Sequence, residues 1–172
     1  MPYAFLTGGA RSGKSAAAER RALAAHAPVT VIATAEAGDD EMAARIARHR
    51  SSRPPAWRTV EEPVDLCRAV QGVDATAFVL VDCLTLWLAN VIERSDEAVV
   101  SEAGALADLL ADRPGDGVVV TNEVGDGIVP ADPDTRRYRD LLGRVNGQLA
   151  ARADEAYLVV AGRFVPLQEP SW

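Results

Sequence analysis

The sequence predicts an α/β fold, in which a mostly parallel central sheet is flanked by helices. Three observations predict it. Short apolar, often β-branched runs alternate with segments of helical periodicity along the chain. The runs are apolar at successive positions, as in strands that are buried on both faces of a parallel sheet. A glycine-rich segment between the first run and the first helical segment indicates a ligand site at the carboxyl ends of the strands.

The elements follow in order from these patterns. An apolar run opens the chain, an Ala-rich helical segment follows it, and the next strand begins directly after Pro28. The predicted strands are Tyr3–Thr7, Val29–Ala33, Phe78–Val81, Val118–Thr121, Ala156–Ala161 and Phe164–Leu167. The predicted helices are Lys14–His26, Asp39–Arg50, Pro63–Val70, Leu84–Glu93, Ser101–Asp112 and Asp134–Arg152. Two segments, 50–58 and 123–130, fit neither pattern and are interpreted as loops.

Composition limits the class of protein. The chain has 172 residues, of which 48% are apolar and 25% charged, so we expect residues 1–172 to form one catalytic domain. A net charge of −7 argues against nucleic-acid partners, and no apolar run approaches the ~20 residues that would span a membrane. The two cysteines, Cys67 and Cys83, predict no disulfide framework and favour the cytoplasm.

The glycine-rich segment fits G-x-x-x-x-G-K-[ST], the phosphate-binding loop, without a mismatch. We predict that all of its residues bind nucleotide: Gly8, Gly9, Ala10, Arg11, Ser12, Gly13, Lys14 and Ser15. Backbone N–H groups of such a loop surround the phosphates, the lysine neutralises the β and γ oxygens, and the serine hydroxyl ligates Mg²⁺. Lys14 is the single lysine in a chain with 17 arginines, which indicates that a guanidinium could not replace it.

Asp82 is predicted to bind the metal ion together with Ser15. It ends the apolar run Phe78–Val81, as does the aspartate that holds Mg²⁺ in other phosphate-loop proteins. Asp82 and Ser15 complete the predicted nucleoside triphosphate site. These residues alone do not indicate which reaction the site catalyses.

His49 is the candidate nucleophile. It lies at the end of the predicted amphipathic helix Asp39–Arg50 and is flanked by Arg48, Arg50 and Arg53. One interpretation is a solvated surface histidine, since exposed histidines are common. The other is that the arginines bind a triphosphate and that the neutral imidazole attacks its α-phosphorus and carries a nucleotidyl group.

Several further segments carry a resemblance to a known family. They are residues 8–15, Ile32–Ala35, Asp39–Ile46, Arg53–Pro54, Trp57–Glu61, Thr121–Gly125, Gly127–Pro130, Arg144–Asn146 and Ala153–Glu155. In this order they resemble the bifunctional adenosylcobinamide kinase / adenosylcobinamide-phosphate guanylyltransferase family of cobalamin biosynthesis. The resemblance implies a RecA-like phosphate-loop NTPase fold and a homotrimer.

The resemblance also implies two reactions. ATP or GTP phosphorylates adenosylcobinamide, and GTP then guanylylates a histidine from which GMP passes to adenosylcobinamide phosphate, giving adenosylcobinamide-GDP. His49 matches the family's modified segment, although Arg48 stands where some members have a first histidine. The resemblance assigns further nucleotide contacts to Thr34, Ala35, Glu36, Arg50, Ser51, Ser52, Arg53, Glu61 and Asp82. Asn122 and Glu123 follow a strand and are interpreted as turn-capping residues or as groups that orient the acceptor.

The two reactions attack different phosphorus atoms of a triphosphate. In-line geometry does not tolerate a displacement of several ångströms, so we expect the nucleotide to shift or the His49 helix to move. The alternative is two separate nucleotide sites. Two other functions remain open from the sequence: a simple phosphate-loop small-molecule kinase without a covalent intermediate, and a nucleotide-binding module without turnover.

Overall fold

The computed structural model describes residues 2–169, so the two ends of the expected domain, Met1 and 170–172, lie outside the described residues. The described chain forms a seven-stranded sheet in the order β3-β2-β4-β5-β1-β6-β7. The strands are β1 (Tyr3–Thr7), β2 (Val29–Ala33), β3 (Arg58–Glu61), β4 (Phe78–Asp82), β5 (Gly117–Val120), β6 (Glu155–Val160) and β7 (Arg163–Leu167). Strands β1 to β6 pair in parallel and β7 is antiparallel to β6, which confirms the predicted mostly parallel sheet.

Six helices connect the strands over the described residues: α1 (Lys14–Ala24), α2 (Asp40–Ser52), α3 (Leu66–Gln71), α4 (Leu84–Asn90), α5 (Asp96–Ala111) and α6 (Pro133–Arg152). Each predicted helix is present, with shifted ends. The largest shift is in α5, which begins at Asp96 instead of Ser101 because the Ser95 hydroxyl accepts a hydrogen bond from the backbone N–H of Ala98 and caps the helix. No helix between residues 2 and 169 is long and apolar enough to cross a membrane.

Strand β3 was not predicted. The sequence predicts a loop over residues 50–58, and none of the four residues of β3 is buried, so the strand lacks an apolar run. It forms because Thr30–Ala33 of β2 pairs with it along its whole length. Its position at the edge of the sheet explains why three of its four side chains are polar and none is buried.

Two apolar clusters cover the two faces of the sheet. Helices α3 to α6 pack on one face around Trp87, and α1 packs on the other against Phe78. No described side chain of α2 belongs to either cluster. The described side chains of helix α2 therefore contribute nothing to the apolar core.

Candidate functional site

A cavity of about 650 Å³ opens at the carboxyl ends of the parallel strands. This is the edge at which α/β sheets bind ligands, and the volume is that of a small-molecule site. The phosphate loop forms one wall and α2 with its following loop forms the other. The predicted residues that line it are Ala10, Arg11, Ser12, Gly13, Lys14, Ser15, Ala35, His49, Arg50, Arg53, Glu61 and Asp82.

The phosphate loop is packed closely against the sheet. Gly8 has φ +143°, and a Cβ at this position would lie 2.2 Å from the carbonyl oxygen of Val159 on β6. The turn between β6 and β7 adds a second contact, since the N–H of Gly162 donates to the carbonyl of Ser12 over 2.8 Å. Glycine is therefore required at position 8 by both backbone conformation and space.

Lys14 is buried and folded back over the loop. Its Nζ donates to the carbonyl oxygens of Gly8 and Gly9, both at 2.7 Å. Burial lowers the pKa of Lys14, and the neighbouring Cys83 and Asp82 partly oppose this effect. In this structure the ammonium group is therefore held by carbonyl oxygens of the loop that is predicted to bind phosphate.

Two ion pairs join the α2 side of the cavity to the sheet. Arg53 Nη2 lies 3.4 Å from Asp82 Oδ2, with 8% and 21% of the two side chains exposed. Arg50 Nη1 lies 3.1 Å from Glu61 Oε1, in a pair whose side chains are both more than half exposed. The two guanidinium groups predicted to bind phosphate are therefore bound to carboxylates of the same site.

His49 lies in the last turn of α2 and lines the cavity. Within residues 2–169, its imidazole forms no hydrogen bond, while its carbonyl accepts one from Ser52 Oγ at 2.9 Å. Both ring nitrogens are therefore available to a ligand in the cavity.

The residues present fit a magnesium ion that shares its coordination with a nucleotide. Ser15 and Asp82 offer a hydroxyl and a carboxylate to the same cavity, and Mg²⁺ prefers oxygen ligands. No group of three or more His, Cys, Asp or Glu residues between positions 2 and 169 could hold a metal. Phosphate oxygens and water would have to supply the remaining ligands, and Arg53 would have to leave Asp82.

Six residues assigned to the nucleotide site do not line the cavity: Gly8, Gly9, Thr34, Glu36, Ser51 and Ser52. Thr34 is fully buried. Its hydroxyl donates to the carbonyl of Cys83 at 2.8 Å and accepts from the Cys83 N–H at 3.0 Å. Thr34 therefore fixes the strand end that carries Asp82, and its side chain does not contribute to the cavity wall.

Sequence reasoning missed several cavity residues, among them Glu41, Met42, Ile46, Thr59, Cys83 and Leu86. Met42, Ile46 and His49 are spaced by four and three residues and share one helix face. That spacing was a usable signal, but an apolar face on a helix normally predicts packing against the core.

The end of β5 also reaches the cavity. Asn122 lines it, and the backbone N–H of Glu123 donates to the Gly8 carbonyl at 3.1 Å. Behind them, the Thr121 hydroxyl donates to buried Asn146 at 2.8 Å, and the Asn146 amide donates to the Asn122 carbonyl at 3.1 Å. The segment after β5 is therefore fixed relative to the phosphate loop.

Comparison with known proteins gives a consistent match. A family model described as CobU, cobinamide kinase / cobinamide phosphate guanyltransferase, matches residues 4–167. The bifunctional adenosylcobalamin biosynthesis protein CobP of Pseudomonas aeruginosa is 44% identical over 166 residues, which cover 95% of this chain and 96% of that protein. The Escherichia coli protein CobU, which has the same description, is 41% identical over 179 residues, covering 95% of this chain and 98% of the relative.

Solved structures support the fold alone. A prototypical ATPase of a type III secretion system is similar with a TM-score of 0.55 and 13% identity, over 91% of this chain and 50% of that one. The RadB recombinase gives a TM-score of 0.52 and 16% identity, over 91% of this chain and 73% of that one. These similarities confirm the predicted phosphate-loop α/β architecture.

Proposed function

The chain belongs to the cobinamide kinase / cobinamide phosphate guanyltransferase family, and we propose that both reactions take place in the cavity described above. It is accordingly a bifunctional transferase of adenosylcobalamin biosynthesis. ATP or GTP phosphorylates the aminopropanol hydroxyl of adenosylcobinamide. GMP is then transferred from GTP through His49 to adenosylcobinamide phosphate, which gives adenosylcobinamide-GDP and pyrophosphate.

The kinase step rests on the phosphate loop. Backbone N–H groups of residues 8–15 bind the β and γ phosphates, and Lys14 exchanges its two carbonyl acceptors for phosphate oxygens. Mg²⁺ held by Ser15 and Asp82 would neutralise charge on the transferred phosphoryl group. Arg53, released from Asp82, becomes available to a phosphate oxygen.

The guanylyltransferase step rests on His49. The lone pair of an imidazole nitrogen attacks the α-phosphorus of GTP, the bond to the β-phosphate oxygen breaks, and pyrophosphate leaves with the electron pair. A phosphate oxygen of the acceptor then attacks the same phosphorus, the P–N bond breaks, and the imidazole is regenerated. The observation that carries this proposal is that the imidazole of His49, with no hydrogen-bond partner among residues 2–169, faces the same cavity as Lys14 and Asp82.

Movement of α2 would allow one cavity to carry out both steps, although they attack different phosphorus atoms. The phosphate loop is braced by β6 and by the turn at Gly162, whereas α2 has no described side chain in either apolar cluster. Segments with few buried apolar contacts open at low free energy. We propose that α2 carries His49 toward the α-phosphate once the triphosphate attracts Arg50 and Arg53.

A test uses labelled GTP and MgCl₂ without any corrinoid. We expect a covalent GMP adduct that is acid-labile and base-stable, as phosphoramidates are, and that mass spectrometry places on His49. His49→Ala should abolish the adduct, whereas His26→Ala, which changes the other histidine, should leave it intact. Phosphorylation of adenosylcobinamide without an adduct on the unmodified chain would favour the simple kinase, and tight GTP binding with neither reaction would favour a binding module.

The β6–β7 hairpin supports the proposal that the chain forms a homotrimer. Val160, Val165 and Leu167 are 53%, 49% and 43% exposed, and the strand register places them on one face of the hairpin. A contiguous exposed apolar face on an edge hairpin is typical of an interface. Val165→Glu should convert a three-chain species to monomer in sedimentation velocity, and an unchanged sedimentation coefficient would exclude this interface.

Two free thiols support the proposal of a cytoplasmic location. Cys67 and Cys83 are both unpaired, as is usual where the compartment is reducing. Fractionation of cells that express the chain should recover it with cytoplasmic markers.

A further inference from the structure

The segment after β5 ends in an apolar tip whose base is held firmly. Arg139 Nη2 donates to the Gly125 carbonyl at 2.9 Å, and the Gly125 N–H donates to Glu123 Oε1 at 2.6 Å. At the other end, Arg136 Nη1 donates to the carbonyls of Pro130 and Ala131 at 2.8 and 2.6 Å. Charge-assisted hydrogen bonds to backbone atoms therefore anchor both ends of the loop 124–130 to α6.

The tip between these anchors presents apolar side chains to solvent. Ile128 is 97% exposed, Val129 63% and Val124 39%. Single exposed apolar residues are common and need no explanation. A group of three in six residues, on a loop that is fixed at both ends, is instead typical of a contact surface.

The loop continues directly from the cavity. Asn122 lines the cavity and Glu123 contacts the Gly8 carbonyl, so the chain leaves the site beside the phosphate loop and reaches the apolar tip within six residues of Asn122. The α2 side of the cavity combines the charged residues Arg48, Arg50 and Glu61 with the partly buried Met42 and Ile46. Among the described residues, the segment after β5 carries large exposed apolar side chains and α2 carries none.

The size of the cavity limits which part of the acceptor can enter it and which part must stay outside, against its rim. A volume of about 650 Å³ suits one small ligand, and the proposed function fills it with a nucleoside triphosphate. The corrin macrocycle of the acceptor is too broad to enter beside the nucleotide. Only its aminopropanol arm can reach the phosphates, so the ring itself must lie against the rim.

We propose that Ile128 and Val129 form the platform on which the corrin ring of adenosylcobinamide and adenosylcobinamide phosphate rests. This inference deepens the proposed function and rests on it for the identity of the acceptor. Contact with the apolar methyl groups of the ring would use binding energy far from the reacting atoms to position the arm at the phosphates. Both reactions use the same ring, so one platform serves both.

The test compares Ile128→Ser/Val129→Ser with the matched control Leu23→Ser, which changes a 56% exposed leucine on α1. We expect the double variant to raise the KM for adenosylcobinamide and for its phosphate about tenfold or more, because two apolar contacts are lost. The KM for GTP and the yield of guanylylated protein with GTP alone should stay at the values of the unmodified chain. Ile128→Leu/Val129→Ile, which keeps an apolar tip, should restore the corrinoid KM.

Three results would overturn the inference. They are an unchanged corrinoid KM in the double variant, an equal increase in Leu23→Ser, and a change of oligomeric state in size-exclusion chromatography that accounts for the loss. Equilibrium dialysis with adenosylcobinamide in the absence of nucleotide separates this inference from the proposed function. Weaker binding by the double variant supports the platform even if no His49 adduct forms, and equal binding refutes it even if the adduct does form.

Discussion

The phosphate loop and the α2 segment line the same cavity but are held by different kinds of contact. Residues 8–15 are braced by backbone atoms: the Gly162 N–H on the Ser12 carbonyl, the Val159 carbonyl against Gly8, and two loop carbonyls bound to Lys14. The α2 segment, residues 39–53, has no described side chain in the apolar clusters and is tied to the sheet through Arg50 and Arg53.

The two kinds of contact suit two different tasks of the site, which are charge stabilisation by the phosphate loop and movement of α2. Close backbone packing keeps the N–H groups that are proposed to bind phosphate in a fixed arrangement, and such preorganisation is what charge stabilisation requires. The exposed Arg50–Glu61 pair is weak, and the less exposed Arg53–Asp82 pair lies in the cavity, where a bound triphosphate would compete with Asp82 for the guanidinium group. A triphosphate that competes for the two arginines can therefore change the position of α2 without disturbing the phosphate loop.

The largest expected effect comes from crowding the phosphate loop at Gly8. Gly8→Ala places a Cβ 2.2 Å from the Val159 carbonyl at φ +143°, and we expect it to destabilise the fold by about 2–4 kcal/mol. A shift of the loop by about 1 Å should also lower GTP affinity on the order of 100-fold. Gly9→Ala is the control, because a Cβ there meets nothing within 4 Å. Thermal unfolding and calorimetric GTP titration measure both effects, and equal behaviour of the two variants would contradict this account of the loop.

The next effect is a pH dependence at Lys14. Burial lowers its pKa below the usual value of 10.5, so the free chain loses this proton at a lower pH than an exposed lysine does. Since the ammonium form binds phosphate, GTP affinity should fall as the pH is raised from 7 toward 10.

Lys14→Arg provides the control for this dependence. A guanidinium stays protonated across the range, so the variant should bind GTP more weakly at pH 7 but with no further loss from this group. Between the two pKa values of Lys14, the unfolded chain holds more protons than the folded one, so the free energy of unfolding should rise with pH in that window. A parallel decline of GTP affinity in both proteins would show that another group titrates.

The contrast between the two regions also explains what the sequence could predict. The phosphate loop and strands such as β1 and β4 are encoded by local patterns: glycine spacing and apolar runs. Strand β3 could not be foreseen, because its mostly polar residues form a strand only by pairing with β2. The burial of Thr34 likewise depends on Cys83, 49 residues away in sequence.

On the α2 side, the sequence identified His49, Arg50 and Arg53 as candidates, and Glu61 and Asp82 as well, but not that these carboxylates pair with the arginines. The pairs with Glu61 and Asp82 join residues 11 and 29 positions apart, on elements whose relative position is set by the sheet. Met42 and Ile46 were not predicted to line the cavity, because their helical spacing predicts packing against the core.

A smaller effect should follow from removing the two α2 arginines one at a time. Arg53→Met leaves the Asp82 carboxylate, which is only 21% exposed, without its partner, and should destabilise the chain by about 1–2 kcal/mol. Arg50→Met breaks a more exposed pair and should cost about 0–1 kcal/mol. Hydrogen exchange should show faster opening of α2 in Arg53→Met than in Arg50→Met, with α1 unchanged in both. Faster exchange in α1 would mean that the arginines support the whole fold instead of α2.

The smallest expected effect is a response of the unmodified chain to salt. The screening length falls from about 10 Å at 0.1 M to about 3 Å at 1 M ionic strength, which weakens the exposed Arg50–Glu61 pair more than the less exposed Arg53–Asp82 pair. Amide exchange in α2 should therefore accelerate about two- to fivefold over this range, since the exposed pair contributes about 1 kcal/mol at most. Exchange in α1, which packs through apolar residues such as Ala18 and Ala22, should not accelerate. Because apolar packing is not screened by salt, an equal response in both helices would show that α2 is held by something other than Arg50 and Arg53.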